Sequence, residues 1–460
     1  MARWPSGKAA VCKTAIRGFD SHPRLSKFGG KRSRPEARPV GDEARAAGFG
    51  GTNGSEWGRR IPTRASSFPG DIMHLSRLAM SVGQSATLKL NELANNLKAE
   101  GKPVIHLGGG EPEEKIPQGA YDASLKKLGT GYIRYTATSG IPELKKEIAA
   151  YTEKNYGFKP AAKNIVVSGG AKQAIYNFLM AVADPGTEVV FPAPYWVSYP
   201  EMVKMVYGTP VIVRPEPGKL IPDIQEMDRH ITSNTRAVML NSPNNPSGMI
   251  YPEDFVRELV EICEYRGVYL MMDDIYSRLV FGGACAPNAF SLSKRPLDDS
   301  NIVSINGVSK MYSMTGYRIG WSVAGEAITQ AMVKIQAQIT SCPSALSQAA
   351  AAGALAEQGS FVESLRVQLE KKRDLLVAEL KKLKKVKIHI PQGTFYSFPD
   401  FSAYEKDSEK LSKLLLDKAM VVTVPGKEFG LDGHLRLSYC GSERDIVEGV
   451  SRIRKLLDAE

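Results

Sequence analysis

Between Asn164 and Val323 the chain returns repeatedly to one unit: a short apolar run, a polar or glycine turn, then a longer amphipathic stretch. The runs are Asn164-Ile-Val-Val-Ser, Glu188-Val-Val-Phe-Pro, Pro210-Val-Ile-Val, Ala237-Val-Met-Leu-Asn, Tyr269-Leu-Met-Met-Asp, Ile302-Val-Ser-Ile and Ile319-Gly-Trp-Ser-Val. They are apolar on both sides rather than alternating, which is the pattern of strands covered on two faces. Helix-like segments such as Asp254 to Tyr265 separate several of them. The alternation predicts an α/β fold with a mostly parallel sheet covered by helices. Further helices are expected from Pro142 to Tyr156, with proline at the permitted first position, and from the Gly169 turn to Asp184. A long helical stretch spans about Ser344 to Lys385, after which strands and helices mix again as a smaller α/β lobe.

Ligands of open α/β sheets gather at the carboxyl ends of strands, so the polar residues there carry the functional argument. Lys310 and Arg318 stand in Gly307-Val-Ser-Lys-Met-Tyr-Ser-Met-Thr-Gly-Tyr-Arg-Ile-Gly320, just after the run Ile302-Val-Ser-Ile, where a strand ends and a loop begins. A desolvated lysine has a lowered pKa and a free amine able to form a Schiff base. Arg318 offers a forked, permanent charge for a phosphate on the same ligand. An amine that condenses with an aldehyde, beside a phosphate clamp, points to pyridoxal phosphate; the competing reading is two surface charges beside a core strand. Ser168-Gly-Gly-Ala-Lys172 is either an anion site at a helix start or merely a turn. Asn241-Ser-Pro-Asn-Asn-Pro-Ser-Gly248 is a rigid loop, from which Asn245 can reach a phenolic oxygen. Asp273, in Asp273-Asp-Ile-Tyr276, is either a helix N-cap or a buried carboxylate that needs a cation such as a protonated pyridine nitrogen. Tyr276 would share the phenolic oxygen. Arg436, in the alternating strand His434-Leu-Arg-Leu-Ser-Tyr439, is either edge-exposed or bidentate to a carboxylate, and the latter suits an amino-acid substrate.

Composition narrows the classes. The chain has 460 residues, too many for one small core. It has no apolar run long enough to span a bilayer, so no membrane partner is expected. Five scattered cysteines lack metal-ligand spacing, so the expectation is a reduced, cytoplasmic chain with no metal. Of the net charge of +11, +8 lies in residues 1–72, a stretch rich in Arg, Gly, Ser and Pro with little apolar periodicity. Its arginines are dispersed, its acidic residues argue against a transit peptide, and it lacks an apolar signal core. It is expected to be a disordered basic extension, or to precede a real start at Met73; its opening residues resemble a translated transfer-RNA gene. No nucleic-acid partner is expected.

In order along the chain stand Gly108-Gly-Gly-Glu-Pro112, Tyr135 through Gly140-Ile-Pro-Glu-Leu, Gly169-Gly-Ala-Lys-Gln, Pro194-Tyr-Trp-Val-Ser-Tyr-Pro, the Asn241 loop, Asp273-Asp-Ile-Tyr, the Lys310 segment and Arg436-Leu-Ser-Tyr. From about Leu75 to the C-terminus the chain thereby resembles class I, fold-type I pyridoxal-phosphate-dependent aminotransferases, most closely the bacterial aspartate aminotransferases. The resemblance implies a large cofactor domain at 119–345. It also implies an N-terminal arm and part of the small domain at 73–118, and a connecting helix and small C-terminal domain at 346–460. Lys310 would hold the cofactor and shuttle the proton, Asp273 would keep the pyridine nitrogen protonated, and Asn245 and Tyr276 would tune the phenolic oxygen. Trp196 would stack on the ring. Gly170, Ala171, Lys172 and Arg318 would hold the phosphate, joined by Tyr135 of a neighbouring subunit, which implies a homodimer with shared sites. Arg436 would take the α-carboxylate, with Gly110, Asn245 and Trp196 alongside. Thr87 and Lys172 would read the distal carboxylate of aspartate. The implied substrates are amino acids and 2-oxo acids, with aspartate or glutamate preferred. Aromatic, alanine or prephenate specificity and a β-eliminating lyase are the alternatives; a ligand-sensing transcription factor would need a winged helix that residues 1–72 do not pattern. Two departures are Gly307, where many relatives carry a phosphate-binding serine, and Glu113-Glu-Lys-Ile116 in place of an Asp-Phe pair.

Overall fold

Strand β1 (Ile105–His106) belongs to a small sheet, and the main sheet follows it in the chain: β2 (Ile165–Ser168), β3 (Glu188–Pro192), β4 (Thr209–Val213), β5 (Thr235–Asn241), β6 (Tyr269–Asp273), β7 (Ile302–Gly307) and β8 (Gly320–Ala324). The computed structural model describes residues 75–83, 86–357 and 359–459, with only the backbone of 86–88, so the expectations for the basic extension lie outside the described residues. Residues 73–460 form one compact unit.

The main sheet runs β2-β8-β7-β6-β5-β3-β4. Pairings from β4 through to β7 are parallel, and β8 is antiparallel to both its neighbours. Side chains alternate across each strand. Val189, Phe191, Met239, Met271, Val303 and Ile305 pack with Ile175 and Phe178 of the helix Ala171–Val182 and Met332 of the helix Glu326–Ile339. Val190, Val238, Leu240, Leu270 and Met272 pack on the other face with Phe255, Val256 and Leu259 of the helix Glu253–Arg266. The two-sided apolar runs therefore bury as their composition requires.

Two sequence expectations need correction. The stretch 344–385 is two helices, Ala345–Ala356 and Ser360–Leu380, parted at Gly359, whose φ of +93° lies in the left-handed region open to glycine. Lys310 lies not in a loop but in a helical turn, Val308–Met311, that follows β7 directly.

The remaining strands are β9 (Tyr396–Ser397), β10 (Val421–Val422), β11 (Val424–Pro425) and β12 (Leu435–Ser438). They form an antiparallel sheet β11-β12-β9 and the parallel pair β1-β10. The pairing of β1 with β10 brings the Gly108–Gly110 turn beside β12.

Candidate active site

β8 runs against its neighbours, so its first residue meets their last ones: Gly320 pairs with Ser168 on one side and Gly307 on the other. Arg318, Lys310 and the turn Gly169-Gly170 therefore converge at one sheet edge. Two glycines permit the approach. A Cβ on Gly170 would lie 2.5 Å from the Arg318 guanidinium, and one on Gly320 would lie 2.3 Å from the Ala171 nitrogen. A cavity of about 560 Å³ opens there, lined among others by Gly110, Ala171, Lys172, Trp196, Asn245, Asp273, Tyr276, Lys310, Arg318 and Arg436. Tyr135 is not part of this lining: it is 90 % exposed on the surface of the chain. Thr87 falls on the helix Ala86–Ala99, but its side chain is outside the described residues.

The Gly108–Gly110 turn holds both principal cations by its carbonyls. Lys310 Nζ donates to Gly110 O at 2.6 Å, and Arg436 Nη2 donates to Gly108 O at 2.9 Å. Burial lowers Lys310 to about 8, with the positive Arg436 and Arg318 adding to the shift against opposing contributions from Cys440 and Glu111. An amine at that value is available unprotonated near neutral pH. Arg436 is buried in β12, and Nη1 donates to Asn245 Oδ1 at 3.1 Å. Its guanidinium carbon is 4.2 Å from the Tyr396 ring centre and 5.1 Å from that of Phe429. Among the described residues its hydrogen-bond partners are neutral oxygens, and Nε has none. The edge-exposed reading of Arg436 is thus excluded. A buried cation without a counter-ion is costly, and a carboxylate is the partner that this fork fits.

Asp273 ends β6, and a turn rather than a helix follows it, so the N-cap reading fails. Its Oδ2 accepts from the Tyr199 hydroxyl at 2.7 Å. Burial raises Asp273 to about 6, against the hydrogen bonds from Tyr199 and Ile275 and the charge of Lys310. Asp274 is buried behind it, accepting from Ser304 Oγ at 2.6 Å and the Tyr156 hydroxyl at 2.8 Å, and burial raises it to about 7. A carboxyl raised above its unfolded value binds its proton more tightly when folded. Asp274 therefore contributes stability at low pH that is lost as pH rises from about 4 to about 7. Wild type compared with Asp274→Asn by urea unfolding should show an excess loss of about 1.4 kcal/mol per pH unit across that window. A difference that stays flat across it would refute the buried, protonatable Asp274.

Lys172 is the second residue of the helix Ala171–Val182, and its ammonium lies 4.9 Å from the centre of the Trp196 ring. Its side chain remains exposed, but partial desolvation lowers its pKa and Arg318 lowers it further. Tyr276 is buried, with its ring edge-on to that of Tyr396 at 6.1 Å. Asn241 ties the loop to β6: its Nδ2 donates to Asp273 O at 2.8 Å and its Oδ1 accepts from Asn245 N at 2.7 Å. Sequence reasoning gave no role to Tyr199, Tyr396, Asn241 or Asn91, all of which touch the site. Tyr199 belongs to the motif Pro194-Tyr-Trp-Val-Ser-Tyr-Pro and was findable there. Tyr396 arrives from another sheet, and no local pattern marks it.

Residues 102–453 match the family model described as aminotransferase class I and II. The chain belongs to that family. The aspartate aminotransferase of Geobacillus stearothermophilus is 37 % identical over 84 % of this chain and all of its own length. The aspartate/prephenate aminotransferase of Thermus thermophilus is 34 % identical over 83 % of this chain and 98 % of its own. The Thermus thermophilus aspartate aminotransferase solved with maleate superimposes with a TM-score of 0.80 at 34 % identity, covering 84 % of this chain and all of that one. This chain is an aminotransferase of the fold-type I kind, with the mostly parallel α/β architecture its sequence predicts.

Proposed function

We propose that this aminotransferase binds pyridoxal phosphate at the sheet edge and moves the amino group of an acidic amino acid, aspartate or glutamate, to a 2-oxo acid. The observation that carries the reading is the convergence on one cavity of a lysine at about 8, a buried carboxylate and the cations Lys172, Arg318 and Arg436, none of which forms an ion pair among the described residues. The donor set fits the cofactor. The start of the helix Ala171–Val182 presents backbone N–H groups beside Arg318, whose guanidinium can approach because Gly170 carries no Cβ, and this suits a phosphate. Asp273 is a carboxylate with no cationic partner of its own in hydrogen-bonding reach among the described residues, which suits a protonated ring nitrogen. Asn245, Tyr276 and Trp196 line the space between.

When bound, the cofactor supplies an aldehyde for the amino group and a ring that withdraws electrons from the substrate Cα. Lys310 would anchor it through its amine and would hold the proton removed from the substrate Cα, to be returned to the product. Asp273 would keep the proton on the ring nitrogen. Arg436 fixes the α-carboxylate so that the Cα–H faces Lys310, and the rings of Tyr396 and Phe429 packed against its guanidinium restrict the orientation of that plane. Lys172 is the second cation and the candidate for the distal carboxylate. The 90 % exposure of Tyr135 supports its use by a second subunit, hence a homodimer. No helix among the described residues is long and apolar enough to cross a membrane, and Cys263, Cys285, Cys342 and Cys440 are free thiols, which supports a cytoplasmic setting.

A donor and acceptor panel on the purified holoenzyme, read by cofactor absorbance, tests the reading. Prephenate belongs in it because a relative carries that name. Aspartate or glutamate should be the preferred donor; a preference for aromatic donors would overturn the acidic-substrate assignment. Lys172→Ala should lower kcat/KM for aspartate at least about tenfold more than for phenylalanine, the worth of one charge-assisted hydrogen bond. Equal losses for the two donors would remove Lys172 from substrate choice.

A further inference from the structure

Asn91, on the helix Ala86–Ala99, lines the same cavity as Lys310 and Arg436. The half-buried ring of His106, at the end of β1, links it to the glycine turn. Gly108 N–H donates to His106 Nδ1 at 3.0 Å, and His106 Nε2 lies 2.8 Å from Asn91 Oδ1. A backbone N–H can only donate, so Nδ1 must carry the lone pair. Burial lowers His106 to about 4, and the positive Lys98 and Arg436 oppose a second proton, so the ring is neutral at working pH. Its single proton therefore sits on Nε2 and is donated to Asn91. The Asn91 atom that receives it is the carbonyl oxygen, which settles the orientation of the amide. What remains is Nδ2 with two donors, and among the described residues it has no protein partner.

We infer that Asn91 is a substrate-contacting residue whose amide nitrogen donates to the distal carboxylate of the acidic substrate, and that His106 is the positioning residue that orients it. The inference rests on the acidic-substrate reading above. Arg436, a buried fork held by two carbonyl oxygens, already serves the carboxylate next to the reacting carbon. A further pair of neutral donors on a separate helix is of use only to a substrate with a second acceptor. Gly108 also joins the two functions physically: its N–H holds His106 while its carbonyl holds Arg436.

The test uses the holoenzyme with aspartate and alanine as donors and maleate as an unreactive dicarboxylate probe. Asn91 is partly exposed on a helix, where alanine is well tolerated. Asn91→Ala should weaken maleate binding about tenfold and lower kcat/KM for aspartate about tenfold more than for alanine, as expected for one hydrogen bond to a charged group. His106→Ala should shift both readouts in the same direction, and His106→Gln, which can still accept from Gly108 and donate to Asn91, should recover most of the maleate affinity. Full maleate affinity in Asn91→Ala, or equal losses for aspartate and alanine, would overturn the assignment of Asn91. Full maleate affinity in His106→Ala would remove the positioning role. A wild-type enzyme that binds maleate no better than acetate would instead overturn the acidic-substrate reading itself, and the inference with it.

Discussion

Lys310→Ala should lower turnover with aspartate by at least about 10⁴-fold, the upper end of what a positioned acid–base group supplies. The amine it removes is held 2.6 Å from Gly110 O and sits at about 8 chiefly because the surrounding protein desolvates it, with Arg436 and Arg318 adding to the shift. Water entering the shortened side chain's space has no comparable basicity or position. A second readout separates chemistry from folding. Borohydride treatment of the wild-type holoenzyme should fix the cofactor covalently on the peptide that contains Lys310, and the same treatment of the variant should fix none. A reducible adduct that persists in Lys310→Ala would mean that another amine does this work.

Asp273→Asn should lower kcat by about 10³-fold while leaving KM for the amino donor nearly unchanged. The carboxylate is buried at the end of β6 and, among the described residues, is bound by neutral donors, the Tyr199 hydroxyl and the Ile275 N–H. Removing the charged partner of a buried, hydrogen-bonded ion pair typically costs about 2–5 kcal/mol, and each 1.4 kcal/mol is a factor of ten. Asparagine preserves the shape and a hydrogen bond to Tyr199, so a large loss isolates the charge. A kcat within tenfold of wild type would show that the ring nitrogen does not depend on Asp273. A rise in KM of similar size to the fall in kcat would place the residue against the substrate instead.

Much of the frame is legible in the sequence. Runs such as Tyr269-Leu-Met-Met-Asp contain no alternation, and a strand of that kind has only one stable place, inside a sheet covered on both faces. Once the strands are placed, their ends are known, and Asp273, Asn245 and Lys310 fall at strand ends. The failures are also specific. The break at Gly359 leaves little mark on the sequence, because helical periodicity continues on both sides of it and a single left-handed residue does not disturb an amphipathic pattern. The turn that holds Lys310 is too short to show a helical period, so the sequence reads it as the start of a loop. Whether Asp273 caps a helix or stands as a buried carboxylate depends on the segment after it, which is a turn. Tyr396 and Asn91 had no signal, because each acts on the cavity from an element distant in the chain.

The sequence by itself determined the fold class, the strand ends and the chemical types of the main site residues, since burial pattern and functional-group chemistry are local properties. Whether Arg436 was an exposed charge or a buried fork, and which atoms hold it, depended on β1 pairing with β10 and on β8 running against its neighbours. The first joins Ile105 to Val421, and the antiparallel run of β8 also sets Gly320 beside the distant Ser168 of β2. Burial, the lowered Lys310, the raised Asp273 and the orientation of the Asn91 amide all follow from them, because desolvation and hydrogen-bond direction are properties of what surrounds a group in space.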